Sequence, residues 1–177
     1  MTKAIFLDRD GTLNVGVPVY ERVDSLEKVE LLPNTLAACR ILAEMDYLVF
    51  LVTNQAGLAE GLISWEQFNQ INDKVFELIA PSGIKITKTF VCPHGENEQC
   101  DCRKPSPKLL LDAAGEFDIN LSESFMIGDR HTDVMTGKNA GVKTILVKTG
   151  RDNESIEGAD FVCDSLLEAV ELIKAEQ

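Results

Sequence analysis

The stretch that most constrains the fold runs from residue 4 to residue 12 and reads Ala-Ile-Phe-Leu-Asp-Arg-Asp-Gly-Thr. Its apolar run is too short for a helix and predicts a buried strand. Asp8 and Asp10 would then lie at the carboxyl end of that strand, where an open parallel sheet has its ligand crevice. Mg²⁺ suits such a pair, because it prefers oxygen ligands and keeps positions for water and phosphate. Taken by itself, this stretch is explained equally well by a strand that ends in an acidic Asp-Gly turn without a metal site.

Size and charge narrow the class of protein. A chain of 177 residues with 45% apolar residues predicts a single domain spanning residues 1–177. The net charge of -12 disfavours a nucleic-acid backbone or an anionic membrane as partner. No apolar stretch approaches the roughly 18 residues of a membrane span, and the first strand begins almost at once. We therefore expect a cytoplasmic protein.

Further apolar runs alternate with amphipathic segments along the chain. Strands are predicted at 47–52, 87–91, 124–127, 143–147 and 159–163, with helices from 33, over 64–79 and 108–116, after 129 and over 166–174. This alternation predicts a doubly wound α/β fold with a parallel sheet. In the helix after Ser64, we expect a buried stripe of Trp65, Phe68, Ile71, Val75 and Leu78. The segment 14–32 predicts a loop over the crevice, too short to form a separate cap domain.

Polar residues follow two more of the predicted strands. Thr53, Asn54 and Gln55 come after the second, where they would either hold phosphoryl oxygens or cap a helix. Asp129 and Asp133 come after the fourth and are one helical turn apart. Because a parallel sheet brings such ends to one edge, these groups are predicted to join Asp8 and Asp10.

A cluster of potential metal ligands follows the third strand. Cys92, His94, Cys100 and Cys102 lie within eleven residues, with glycine and proline to bend the loop. Three thiols and an imidazole match a tetrahedral Zn²⁺ site without an open position, so the ion would be structural. Unliganded or transiently oxidised cysteines are the alternative. Arg103 and Lys104 follow, either as phosphate-binding cations or as solvated surface charges.

Together these motifs resemble the haloacid-dehalogenase-type phosphatases. The resemblance rests on Asp8 to Thr12, on Thr53 to Gln55, on Lys104 and on Asp129 with Asp133, and it spans nearly the whole chain. It implies that Asp8 is the nucleophile and that Asp10 protonates the leaving alkoxide and then deprotonates water. It also implies that Asp8, the Asp10 carbonyl, Asp129 and Asp133 hold Mg²⁺, while Thr53 and Lys104 hold the phosphoryl group.

The zinc loop narrows the resemblance to the group that contains histidinol-phosphate phosphatase and heptose-bisphosphate phosphatase. We expect a monomer that acts on a small soluble phosphate ester, with Asn54, Gln55, Glu60, Arg103 and Arg130 among the substrate contacts. Features of the C-terminal third favour heptose bisphosphate. Glu60 and the short gap from His94 to Cys100 favour histidinol phosphate, because heptose bisphosphatases of this group carry an arginine at the place of Glu60. A phosphorelay receiver and a non-catalytic zinc-loop interaction module are the remaining alternatives.

Overall fold

A computed structural model describes residues 1–16, 23–150 and 158–176. Residues 17–22 of the predicted crevice loop, Pro18 and Tyr20 among them, lie outside the described residues. The two described ends of this loop are tied to each other, since the Val15 amide donates to the Glu30 carbonyl and the Leu32 amide to the Leu13 carbonyl. Within the described ranges, every helix is too short or too polar to cross a membrane.

Six strands form one sheet in the order β3-β2-β1-β4-β5-β6, and every neighbouring pair is parallel. The strands are β1 (Ala4–Leu7), β2 (Leu48–Asn54), β3 (Ile86–Cys92), β4 (Phe125–Gly128), β5 (Lys143–Val147) and β6 (Phe161–Cys163). The prediction of a doubly wound parallel α/β sheet is confirmed.

Helices cover both faces of the sheet. They are α1 (Thr35–Glu44), α2 (Ala56–Ala59), α3 (Trp65–Ile79), α4 (Lys108–Phe117), α5 (His131–Ala140) and α6 (Leu166–Ala175). Short 3-10 helices span Leu26–Lys28, Ala80–Ser82 and Leu121–Glu123. Helices α1, α3 and α6 pack on one face, and α4 and α5 lie together on the other.

The central strand β1 explains why two separate cores form. Its side chains alternate, so that Ile5 and Leu7 enter the core beneath α1, α3 and α6, while Ala4 and Phe6 enter the core beneath α4. All four are fully buried. A strand buried on both faces has to be apolar at every position, which is the pattern that the sequence displays.

Helix α3 begins as the sequence predicts. The Ser64 side chain accepts from the Gln67 amide at 3.1 Å, and the Gln67 side chain accepts from the Ser64 amide at 2.8 Å, which completes a capping box. The expectation that Trp65 is buried was wrong, because its side chain is 52% exposed. Trp65 is the first residue of the helix, where a side chain points back over the preceding turn rather than into the core.

The strand order places the ligand crevice. The chain proceeds outward from β1 through β2 to β3 and then returns to β4 on the other side of β1. This reversal is a topological switch point, and the crevice of a doubly wound sheet opens there, beyond the carboxyl ends of the strands. Asp8 directly follows β1 and Asp129 directly follows β4, so the two acids meet at the switch point.

Candidate active site

The crevice at the switch point is lined by polar residues from four parts of the chain. The lining consists of Asp8, Asp10, Thr53, Asn54, Lys104, Arg130 and Thr132. Six of these seven residues were predicted as site residues from the sequence, and Thr132, beside Asp133 on the first turn of α5, was not. The polar residues that follow separate strands in the sequence therefore lie together in one small crevice.

Lys104 is the centre of a buried ionic network. Its ammonium donates to Asp8 Oδ1 at 2.7 Å, to Asp133 Oδ1 at 2.6 Å and to the Val52 carbonyl at 2.8 Å. Burial by itself would lower the pKa of Lys104, but Asp133 and Asp8 outweigh burial and raise that pKa. Lys104 is therefore a permanent cation whose three donors hold it beside the two acids.

Asp133 joins this network to the start of α5. Its second oxygen accepts from the Arg130 amide at 3.1 Å, which caps the helix. Burial raises the pKa of Asp133 to about 6, in spite of the opposing effect of Lys104. The two acids that were predicted one helical turn apart therefore have different roles. Asp133 orients Lys104, whereas Asp129 accepts no hydrogen bond within the described residues.

Asp129 has a buried carboxylate without a hydrogen-bond donor among the described residues. Arg130 Nε lies 3.9 Å from Asp129 Oδ2, too far for a hydrogen bond. Burial first, and then repulsion from Asp8 and Asp133, raises the pKa of Asp129 to about 8. A buried carboxylate in this state is costly unless a cation meets it.

The surroundings of Asp129 fit a divalent cation. Ligand oxygens of Asp8, Asp129 and Asp133 lie within 4.8 Å of one another. A side chain at Gly11 or at Gly150 would overlap the Asp129 carboxylate, and Gly11 also has a φ of +93°. Two glycines therefore keep the space around this carboxylate open, and the all-oxygen ligand set is the one that Mg²⁺ prefers.

Asp10 lies apart from the three clustered acids and is held by a different set of partners. Arg9 forms a bidentate pair with it, Asn14 Nδ2 donates at 2.9 Å and Gln55 Nε2 donates at 3.0 Å. Burial opposes ionisation, but Arg9, Asn14 and Gln55 together lower the pKa of Asp10. Arg9, which lies between the two acids in the sequence, was not among the predicted site residues.

Asn54 fixes the backbone on which Lys104 stands. Its side chain donates to the Lys104 carbonyl at 3.2 Å and accepts from the Lys104 amide at 3.0 Å. This reciprocal pair joins the end of β2 to the segment that leaves the cysteine loop. Asn54 therefore lines the crevice and also fixes the backbone position from which the Lys104 side chain extends into it.

Three predicted substrate contacts do not line the crevice. The Gln55 side chain lies beneath it, bonded to Asp10 and to the Thr53 hydroxyl at 2.9 Å. Arg103 turns the other way, donating to the His94 carbonyl at 3.0 Å and pairing with Glu96 at 3.2 Å. Glu60 is exposed just after α2. Gln55 and Arg103 differ from expectation because neighbouring polar groups satisfy their donors.

The four residues of the cysteine loop have their ligand atoms close together. Cys92 Sγ and Cys100 Sγ are 3.8 Å apart, and His94 Nδ1 is 3.5 Å from Cys92 Sγ and 3.4 Å from Cys102 Sγ. A tetrahedron with Zn–S bonds of about 2.3 Å and a Zn–N bond of about 2.0–2.1 Å has edges of roughly 3.5–3.8 Å. Burial raises the pKa of the Cys92 thiol to about 12, so a cation is needed to keep it ionised. The geometry thus fits a metal ion with four protein ligands.

Comparison with known proteins identifies the family that this chain resembles. Residues 101–169 match a family described as HAD-hydrolase-like. The D-glycero-beta-D-manno-heptose-1,7-bisphosphate 7-phosphatases of Pasteurella multocida and Haemophilus influenzae are 39% and 38% identical to this chain, over 98% of both sequences in each case. A Campylobacter jejuni relative, named for the alpha anomer of the same sugar, is 37% identical over 90% of this chain and 88% of its own.

A solved structure agrees with these relatives. D,D-heptose 1,7-bisphosphate phosphatase from B. bronchiseptica, crystallised with magnesium and phosphate, superposes with a TM-score of 0.91 at 35% identity, over 99% of both chains. The fold, the convergent acids at the switch point and this similarity along the whole length lead to one assignment: the chain belongs to the haloacid-dehalogenase-type phosphatases and is a phosphomonoester hydrolase.

Proposed function

We propose that this enzyme removes the 7-phosphate of D-glycero-D-manno-heptose 1,7-bisphosphate through an aspartyl-phosphate intermediate on Asp8. The observation that carries the choice of sugar is the full-length similarity to phosphatases named for that substrate. The observation that carries the mechanism is the set of four acids and one buried lysine at the switch point.

The residues divide the chemistry between two half-reactions. In the first, an Asp8 oxygen forms a bond to phosphorus, the bond from phosphorus to the sugar oxygen breaks, and Asp10 gives a proton to that oxygen. Asp10 has to be protonated for this step, although Arg9, Asn14 and Gln55 favour its carboxylate form. In the second, water attacks the phosphorus of the aspartyl phosphate, Asp10 takes a proton from the water, and the Asp8 carboxylate is released. Thr53 holds a phosphoryl oxygen, Lys104 does so by turning towards it the donor that otherwise bonds Asp8, and Arg130 contacts the substrate at the rim.

Mg²⁺ is the cofactor that fits this site; Asp8, Asp129 and the Asp10 carbonyl would hold it, with Asp133 as ligand or support. When bound, it offsets the charge that develops on the phosphoryl group and the repulsion among the acids. The Asp129 carboxylate, which has no hydrogen-bond donor in the described part of the chain, supports this assignment most directly.

Zn²⁺ is the proposed occupant of the cysteine loop, with Cys92, His94, Cys100 and Cys102 as its ligands. Its role is structural, because four protein ligands leave no open position. The loop leads directly to Lys104, and Arg103 crosses back to the His94 carbonyl. A metal that orders this loop therefore also orders the backbone from which Lys104 reaches the crevice.

The remaining features of the proposal follow from charge and size. We propose a cytoplasmic monomer in which residues 1–177 form one domain and whose substrate is a free small molecule. The net charge of -12 supports a small-molecule substrate rather than nucleic acid. Glu60, Gln55 and Arg103 are retained as residues that affect substrate preference, Gln55 and Arg103 through the groups that they orient.

The test of substrate is a comparison of kcat/KM for three compounds: the beta and alpha anomers of heptose 1,7-bisphosphate, and histidinol phosphate. We expect one heptose anomer to be preferred. A hundredfold preference for histidinol phosphate would overturn the assignment of substrate while leaving the phosphatase class intact.

The test of mechanism is the Asp8→Asn variant. It should lose phosphatase activity while keeping its fold, because it removes the nucleophile and a metal ligand together. Turnover near that of the wild type would refute the aspartyl-phosphate mechanism.

A further inference from the structure

Arg9 is one of the largest fully buried side chains in the described part of the protein, with an exposure of 0%. Its Nε donates to Asp10 Oδ1 at 3.0 Å, and its Nη2 donates to Asp10 Oδ2 at 2.7 Å. Parallel donation by the guanidinium fork fixes both the position and the plane of a carboxyl group. Successive side chains along an extended strand point to opposite sides, and the bend of the chain at Arg9 allows the side chains of Arg9 and Asp10 to meet.

The third nitrogen of Arg9 reaches across the core to helix α3. Nη1 donates to Asn72 Oδ1 at 2.8 Å, and the Arg9 Cζ lies 5.8 Å from the centre of the Phe68 ring. Asn72 is itself buried, one residue after Ile71 in the apolar stripe of α3. Since α3 is held in the core by that stripe, it provides Arg9 with a rigid support.

Asp10 is thus held from three directions. Arg9 approaches from the α3 side, Asn14 from the turn after β1, and Gln55 from the end of β2. Each carboxyl oxygen accepts two hydrogen bonds, while the residue still lines the crevice. Of these partners, only Arg9 transmits the position of a distant helix to Asp10.

We infer that Arg9 and Asn72 are positioning residues that hold the Asp10 carboxyl in line with the ester oxygen of the substrate. This inference rests on the proposed function, in which Asp10 moves the proton. Neither residue lines the crevice, so they act through Asp10 alone. A displacement of about 1 Å of a reacting group can cost on the order of 10²-fold in rate.

The experiment uses two esters that differ in their need for a proton. A sugar phosphate releases an alkoxide, which must be protonated as it leaves, whereas p-nitrophenyl phosphate releases a stabilised phenolate that needs no proton. In the Asn72→Leu variant, which deprives Nη1 of its acceptor, kcat/KM should fall about 10-fold to 100-fold for the sugar phosphate and less than about 3-fold for p-nitrophenyl phosphate. The KM for the sugar phosphate should stay near the wild-type value.

Three further variants keep the test decisive. Arg9→Lys retains the charge but not the bidentate fork, and it should reproduce the selective loss on the sugar phosphate. Asn72→Asp retains an acceptor for Nη1 and should restore most of the lost activity. Asn69→Leu changes an exposed asparagine on the same helix and is the matched control, with both esters expected at wild-type rates.

A merely structural role for Arg9 and Asn72 predicts a different result. Equal loss on the two esters in Arg9→Lys, or no loss on either ester in both Arg9→Lys and Asn72→Leu, would overturn the inference. If the wild type prefers histidinol phosphate, that compound takes the place of the sugar phosphate, since it also releases an alkoxide. The proposed substrate would then fail while the inference about Arg9 and Asn72 would still be tested.

Discussion

Replacing Asp129 with asparagine should stabilise the magnesium-free protein while abolishing its response to magnesium. Asp129 is buried, lacks a hydrogen-bond donor among the described residues and faces two other acids, so its pKa rises from an ordinary 3.8 to about 8. A carboxyl group whose pKa is higher in the folded protein than in the unfolded chain makes its full contribution to stability only when the pH is below the unfolded-state pKa. That contribution is lost as the pH rises from about 4 to about 8.

The magnitude follows from the two pKa values. At pH 7 the unfolded chain ionises Asp129 freely, about three pH units above its ordinary pKa, whereas the folded protein keeps it mostly protonated. At about 1.4 kcal/mol per pH unit, this costs on the order of 4 kcal/mol of folding free energy. Asparagine has nearly the same shape and does not ionise, so the variant should recover up to this amount, with each kcal/mol raising Tm by roughly 2–4 °C.

The assay is chemical denaturation of the magnesium-free wild type and variant, with zinc retained, between pH 4.5 and pH 8. The difference in unfolding free energy should be smallest at the acid end and should grow as the pH rises. Saturating Mg²⁺ should stabilise the wild type by about 2.7 kcal/mol at a hundredfold excess over its Kd, and the variant far less. Asp133→Asn is the comparison variant: it removes the charge that pairs with Lys104, so any gain from the raised pKa of Asp133 is offset by the weakened pair and should be smaller than the gain in Asp129→Asn. A magnesium-free Asp129→Asn variant that is less stable than the magnesium-free wild type at pH 7 would refute the reasoning.

Three further predictions concern the second metal site and the glycines. The purified protein should contain about one equivalent of zinc by elemental analysis, and Cys100→Ala should lose it and melt at a lower temperature; an unchanged melting temperature would contradict a structural ion. Gly137→Ala places a methyl group against the Thr144 side chain and 3.0 Å from Met126 Cβ, so it should lower stability by about 1–3 kcal/mol in denaturant titrations. Gly115→Ala, which meets open space in α4, should instead add roughly 0.5–1 kcal/mol, and equal effects of the two changes would refute the packing argument. Gly150→Ala would overlap the Asp129 carboxylate, so calorimetry should detect little Mg²⁺ binding although zinc is retained.

Features that depend on neighbouring residues were predictable from the sequence. The apolar run of β1, the alternation of strands and helices, and the Ser64 capping box are local patterns set by backbone geometry. The ligand spacing from Cys92 to Cys102 belongs to the same class, because one loop contains all four groups. The convergence of polar strand ends was also predictable, since it requires only that the sheet be parallel.

The assignment of partners within the crevice required the tertiary structure. Lys104 meets an acid 96 residues away, and Arg9 meets an asparagine 63 residues away, contacts that no local pattern specifies. The same reason explains Gln55 and Arg103, whose side chains were expected at the substrate and instead bond to Asp10 and to His94. A buried polar side chain forms hydrogen bonds with the donors or acceptors that the fold brings close to it, because leaving a buried polar group unpaired costs about 1–3 kcal/mol of folding free energy. Sequence patterns place such residues at the right edge of the sheet, but packing of distant elements decides which of them face the substrate and which hold the others in place.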